Sequence, residues 1–468
     1  MNYFIIKKQK KTNVKFLLPL FIFILFTCCD SFVDVDLPQS QLTKDAVFQS
    51  SATANAAVTD IYSRMRDQGI LTGTSLGLSN SLGNYADEFQ CYALPTDSSM
   101  PFFTNSLLSS NSNIANYWNT SYNYIYASNA VIEGLENSSH LNKAEKEGLK
   151  GEALFIRALM HFYLINLFGS VPYVTSTDFT VNNTVKKNSP EFNYDLLLKD
   201  LEEAAVLLPQ EYRNSERTRP NKYGVLALLA RAYLYNRNWE EASNTVSAVL
   251  NQNSLYQLES QLTNVFLKKS KETIWQFQPL RIGKNTDEAA TFIFTSGPPP
   301  LVSLTADFID SLETGDLRRT NWIKGITGQG QTWYHAYKYR LNNAGTESLE
   351  YSVVLRLAEQ YLIRAEARAQ QGDLIGAKED LNKIRSRAGL NNTSAISKEQ
   401  ILKAVAKERR KELFSEYGHR FFDLKRTGEI SNILILTKPG WNAYDVMFPI
   451  PQNELNVNPN LLPQNEGY

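Results

Sequence analysis

Positions 408–426 read ERRKELFSEYGHRFFDLKR, the most charge-dense part of the chain that still carries an apolar pattern. Glu408, Glu412 and Glu416 fall four residues apart, so one helical face would carry all three, and like charges at that spacing repel. Arg409, Arg410, Arg420, Lys425 and Arg426 stand beside them. Leu413, Phe414, Tyr417, Phe421, Phe422 and Leu424 lie between, too many apolar groups for a solvated helix. The pattern predicts a helix packed on its neighbours, with its acids paired to arginines brought in by other elements. Three arginines on otherwise apolar helical stretches are the proposed partners: Arg157, Arg231 and Arg364.

The remaining chain supplies a mainly α-helical scaffold for such a brace. Apolar residues recur with helical period over 53–66, 114–136, 143–167 and 190–208, and Gly169 follows the third in the usual stop position. Two helical hairpins follow, at 221–250 and 350–388. Ala232 and Ala242 are ten apart across the first turn, and Ala367 and Ala377 ten apart across the second. Small residues at that spacing let two helices approach closely, and both stretches resemble the helix-turn-helix unit of tetratricopeptide repeats. A further helix begins at Ser397. Two segments break the helical pattern. Residues 71–112 are rich in Gly, Ser, Asn and Pro, and the insert 252–350 carries β-like runs at 273–277 and 333–339 with a helix expected over 301–312. Long irregular segments in a compact protein are usually functional loops or disorder, and the aromatics in these argue against disorder. The chain divides into an N-terminal helical region, 53–250, and a C-terminal region, 251–468, that contains the loop-rich insert.

The N-terminus is a separate signal. Lys7, Lys8, Lys10, Lys11 and Lys15 precede an apolar run at 16–26, then Thr27, Cys28 and Cys29. A basic segment followed by an apolar stretch too short to span a bilayer comfortably is a secretory signal. The cysteines stand where a signal peptidase would cut, as in a bacterial lipoprotein, whose cysteine takes the lipid. Residues 1–28 are then the signal and 29–52 a lipid-anchored tether. Leu25, three residues before Cys28, favours Cys28, and Cys29 stays open. Beyond residue 28 the chain holds 43 basic and 48 acidic residues, a net charge of −5. Nothing in that balance favours nucleic acid, which wants a basic face. Apart from Cys28 and Cys29 the one cysteine is Cys91, and His140, His161, His335 and His419 show no paired spacing. The sequence therefore calls for no disulfide framework, no metal cluster and no cofactor.

Three pieces together resemble the SusD/RagB family of outer-membrane nutrient-binding lipoproteins. The first is CDSFVDVDLPQSQLT at 29–43, which looks like the family's mature N-terminus and in that register makes Cys29 the lipid-bearing residue. The second is ERRKEL at 408–413 running into GHRFFDLKRTG at 418–428. The third is FPIPQNEL at 448–455 with NPN at 458–460 and the closing Gly467-Tyr468. The resemblance covers essentially the whole mature chain. It implies a SusD-like fold, with four tetratricopeptide-type hairpins scaffolding an irregular lobe with short strands. It also implies a cell-surface lipoprotein that caps a SusC-like TonB-dependent outer-membrane transporter, delivers glycans or in some members peptides, and catalyses nothing.

Sugar recognition needs flat aromatic faces for the apolar side of the ring, with amides and carboxylates for its hydroxyls. Tyr85, Asp87, Tyr92, Trp322, Trp333, Tyr334 and Trp441 are the loop-borne candidates; for each of them the competing reading is packing between loop and scaffold. The 408–426 stretch also invites a catalytic reading, since glutamates flank His419 and Asp423 and paired carboxylates can hydrolyse a sugar bond. Those acids ride beside several arginines, which favours a structural role. The expected function is oligosaccharide capture for a transporter. The alternatives are a peptide-binding member of the same family, a protein-binding helical scaffold with a concave groove, and a secreted hydrolase with two carboxylates facing across a cleft.

Overall fold

Helix caps in the chain fall where the sequence places polar residues before apolar runs. In a computed structural model that describes residues 44–468, Ser50 caps helix α1 (Ser51–Asp67) and Asn111 caps α3 (Ser112–Asn137). Asn142 and Glu145 form a reciprocal capping box at the start of α4 (Lys143–Phe168). The signal segment, most of the tether and the lipidation candidates Cys28 and Cys29 lie outside the described residues. Helix α2 (Leu78–Tyr85) lies inside the stretch that the sequence left as loop, and every one of its residues is buried.

The remaining long helices are α5 (Pro190–Leu207), α6 (Lys222–Tyr235), α7 (Trp239–Leu250), α8 (Leu357–Gln371), α9 (Leu374–Arg387) and α10 (Lys398–Glu412). From α3 onward, each packs on the next in chain order through α9, and α10 lies against both α8 and α9. This row of helices is the scaffold within residues 47–468, which form one compact unit. The hairpin turns close as small side chains allow: Ala232, Ala242, Ala367 and Ala377 are all fully buried. Gly372 adopts a left-handed φ of 91° to end α8, and Asp373 then caps α9 through Gly376 N–H. Helix α4 is long and apolar enough to cross a membrane, but it is buried, packed between α3 and α5.

The irregular lobe carries three two-stranded antiparallel sheets. Strand β1 (Phe89–Cys91) pairs with β3 (Val302–Leu304), β2 (Thr273–Phe277) with β6 (Ser352–Arg356), and β4 (Ile323–Gly328) with β5 (Gln331–Ala336). The helix expected over 301–312 begins only at Ala306, because Val302–Leu304 are taken up in register with β1 and Thr305 caps the short helix that follows. The two loop-rich segments 71–112 and 252–350 are thus joined by backbone hydrogen bonds.

The charge-dense stretch is not one helix. Helix α10 ends at Glu412 and α11 (His419–Thr427) begins seven residues later. Ser415, Tyr417 and Gly418 take positive φ values of 55°, 41° and 78° in the break. Gly418 is required there twice over: its backbone is left-handed, and a Cβ would come within 2.2 Å of a Leu82 methyl. A last short helix, α12 (Ile430–Thr437), follows.

Candidate functional site

The acids of the charge-dense stretch meet a set of cations that come from the irregular lobe and from α9. Arg318 lies 2.7 Å from Glu408 and 3.2 Å from Glu412. Arg356, at the end of β6, reaches Glu412 at 2.7 Å, Glu416 at 2.8 Å and Glu272 at 3.1 Å. Arg387 pairs with Glu272 at 2.6 Å and also with Glu412. Lys338 pairs with Glu416 and donates to the carbonyls of Glu412 and Phe414, both at 2.8 Å. Arg385 closes on Glu408 at 3.3 Å, and Asp316 on Arg318 at 2.8 Å. Five acids therefore face five bases in a nearly dry interior. Burial alone would raise the Glu412 carboxyl, but Arg387, Arg356 and Arg318 hold it well below its ordinary value. Glu416 is held down in the same way by Arg356 and Lys338.

The proposed partners are elsewhere. Arg157 pairs with Asp200 at 2.6 Å, Arg231 with Glu359 at 2.6 Å and Arg364 with Asp380 at 2.7 Å. Each arginine is satisfied by an acid on a scaffold helix, so none is left for Glu408, Glu412 or Glu416. Arg420 likewise faces away from those acids and pairs with Asp87 at 2.7 Å. His419 is buried, and burial together with the surrounding arginines pushes its imidazole well below its ordinary value. Asp423 is taken by Arg409 at 2.7 Å and by Arg426 at 2.8 Å.

Four of the seven ligand candidates are core residues. Tyr85 is fully buried, donates its hydroxyl to the Asp445 carbonyl at 3.0 Å, and is ringed by Phe102, Phe421, Trp441 and Phe448. Trp441 is buried in that cluster and donates to Ser431. Trp322 is fully buried, donates to the Leu262 carbonyl at 2.9 Å, and lies among the cations of Lys338, Arg356 and Arg387. Asp87 is held by Arg420 and Arg410. None of these four can present a face to a ligand without opening the core.

Tyr92, Trp333 and Tyr334 share one cleft of 370 Å³. The β4–β5 hairpin supplies Gln331, Thr332, Trp333 and Tyr334, the β1–β3 pair supplies Gln90, Ser303 and Leu304, and Tyr92, Thr305, Ala306, Ile309, Asp310 and Arg319 complete the lining. Trp333 forms the back: it is buried, its indole lies against the backbone of Gly297, and its Nε1 has no hydrogen-bond partner. Tyr334 lies across its cross-strand neighbour Gly325, where a Cβ would come within 2.9 Å of the ring, and Arg319 stacks 4.2 Å above it. Tyr92 is half-buried. Among the described residues no other aromatic ring or cation covers it. The cleft's polar wall of Gln90, Asp310, Arg319, Gln331 and Thr332 was not singled out from sequence. These residue types are common in any loop, and only strand pairing brings them together.

A second, larger groove of 550 Å³ lies on the scaffold, between Leu234, Trp239, Gln370, Leu402 and Ala406. Its charged residues include Glu366 and Arg426, which are paired to each other.

Glu88, next to Asp87, gives a pH prediction. It is buried with one carboxylate oxygen unpartnered. Burial, with Asp87 adding to it, pushes its carboxyl up to about 8. The folded protein thus keeps a proton that the unfolded chain releases near its ordinary value of 4.5. The contribution of Glu88 to stability therefore falls as pH rises between those two values. Glu288, pushed up to about 7 by burial, acts with the same sign. Thermal melts from pH 5 to pH 8 are expected to show the Tm difference between Glu88→Gln and the parent shifting in the variant's favour as pH rises; parallel curves would contradict this.

Comparison with known proteins agrees with this architecture. A family model described as starch-binding associating with outer membrane matches residues 33–234, and the SusD family model matches residues 311–468. The chain belongs to the SusD/RagB family. It is 24% identical to SusD-like protein P25 of Formosa agariphila, over 96% of this chain and 98% of that protein. It is 23% identical to a SusD-like protein of Bacteroides ovatus, over 85% of this chain and 79% of that protein. Among solved structures, a SusD superfamily protein from Bacteroides vulgatus superposes with a TM-score of 0.78 at 21% identity, covering 90% of this chain and all of the other. A laminarin-binding SusD-like protein superposes with a TM-score of 0.74 at 24% identity, covering 89% and 99%. The fold is mainly α, SusD-like.

Proposed function

We propose that the protein captures oligosaccharide in the Tyr92–Trp333–Tyr334 cleft and passes it, without cleaving it, to a SusC-like TonB-dependent transporter. The observation that carries the reading is the convergence of three aromatics with a polar wall on one partly open cleft. Tyr92 offers a ring face for the apolar side of a sugar, and Gln90, Asp310, Gln331 and Thr332 offer partners for hydroxyls. The volume lies in the range of small-molecule sites. A single carboxylate, Asp310, lines the cleft among the described residues, whereas glycosidase chemistry uses two. This favours binding over hydrolysis. Family membership and the laminarin-binding neighbour support a glycan over a peptide. The signal-like N-terminus supports attachment to the outer membrane through a lipid on Cys29, with Cys28 as the alternative.

Calorimetric titration of a chain beginning at residue 30, which retains the whole compact unit, tests the proposal against panels of oligosaccharides and peptides. Saturable binding of an oligosaccharide recovered intact afterwards is expected. Binding of peptides alone, or the appearance of shortened sugars, would overturn it.

A further inference from the structure

We infer that Arg319 makes the Tyr92 cleft selective for glycans that carry an anion, a uronate carboxylate or a sulfate ester; the inference rests on the reading of the cleft as a glycan site. Arg319 lines the cleft half-buried, with its guanidinium 4.2 Å over the Tyr334 ring. It is the one cation of the lining. Among the described residues no carboxylate lies within 4.0 Å of it. The neighbouring arginine in sequence, Arg318, is fully buried and held by Asp316, Glu408 and Glu412. Arginines of this protein that leave the solvent have partners: Arg157, Arg231, Arg356, Arg387 and Arg420 each meet a carboxylate within 3.1 Å, and the half-buried Arg217 and Arg340 donate to backbone carbonyls instead. Arg319 departs from that pattern at the place where a ligand would sit.

The stack on Tyr334 gives the unpaired charge a use. A guanidinium held over a ring has already given up much of its rotamer freedom, while N–H groups not directed at the ring stay available. Such groups form a planar fork matched to two oxygens of one carboxylate or sulfate. A neutral sugar hydroxyl offers it only single contacts. Asp310 is the one acid of the lining; it is exposed and not in ion-pair contact with Arg319. It does not neutralise the guanidinium directly, and it opposes an anionic ligand only weakly through solvent.

The test is titration of the full chain and its Arg319→Gln variant with three probes: an oligogalacturonate, a sulfated galactan oligosaccharide and a neutral β-glucan oligosaccharide. The inference expects the uronate or the sulfated probe to bind the parent, and the one that binds identifies the anion. Arg319→Gln should weaken that binding at least about tenfold at unchanged Tm, while any neutral-glycan affinity stays within about twofold. Asp310→Asn should strengthen anionic binding. Binding of the neutral probe alone, equal in parent and variant, would overturn the inference and leave the glycan cleft standing. An equal loss for neutral and anionic probes would also overturn it, since Arg319 would then act without regard to charge. Failure of all three probes to bind would overturn the inference together with the reading on which it rests.

Discussion

Arg356→Met is expected to destabilise the protein by about 3–5 kcal/mol, the usual cost of removing one partner from a buried ion cluster. Arg356 is the cation that Glu272, Glu412 and Glu416 share, and it also donates to the Glu412 carbonyl at 2.7 Å. Without it three carboxylates stay in a dry interior with too little positive charge. The midpoint of urea denaturation should fall accordingly, while the ligand affinity of the protein that remains folded should not change. Replacing Glu412 as well should recover part of the loss, because the second substitution removes a stranded charge. The cluster also sets an acid limit. The carboxyls of Glu412 and Glu416 are depressed in the folded state, so the stability they contribute is fully present above their ordinary value of 4.5 and is lost as pH falls through the lower folded value. Lost affinity at an unchanged denaturation midpoint would show that the cluster takes part in binding.

Tyr92→Ala is expected to do the reverse. It removes the one cleft ring face that the described residues leave uncovered, worth roughly 2 kcal/mol of stacking and burial, or about 30-fold in affinity. Its Tm should hold, because Tyr92 is only half-buried and its backbone N–H bond to the Leu301 carbonyl at 2.8 Å survives the substitution. Calorimetric titration with the glycan that binds the parent measures the first quantity, and a thermal melt the second. Unchanged affinity would remove Tyr92 from the site.

The two substitutions separate a structural centre from a functional one, and the sequence marked these unequally. Caps, helical periodicity and the alanine pairs at the hairpin turns are local, so the scaffold was legible. So was the need of Glu408, Glu412 and Glu416 for cations. The identity of the cations was not. Arg157, Arg231 and Arg364 stand out because each interrupts an apolar helix, yet each is satisfied by a scaffold acid, Asp200, Glu359 or Asp380. Arg356 follows the apolar run 353–355 in the same way, but on a strand, and its acids lie 56 and 60 residues further along the chain and 84 residues before it. No local pattern encodes that pairing.

The aromatic candidates failed and succeeded for a related reason. A ring in a loop has no period to show which way it points. Tyr85 ends a buried helix and Trp322 sits under three cations, whereas Tyr92 and Tyr334 reach the same cleft only because Phe89–Cys91 pair with Val302–Leu304 and the β4–β5 hairpin packs beside them. The single break at 413–418 was hidden by an unbroken apolar pattern, although Gly418 was the residue able to signal it.

The most direct test of where function lies is diffraction from crystals soaked in the oligosaccharide that binds most tightly. Sugar density is expected against the ring of Tyr92, between Arg319 and Gln331, with the Glu412 cluster unchanged. Sugar density in the scaffold groove beside Trp239 and Leu402, with the Tyr92 cleft empty, would contradict that expectation.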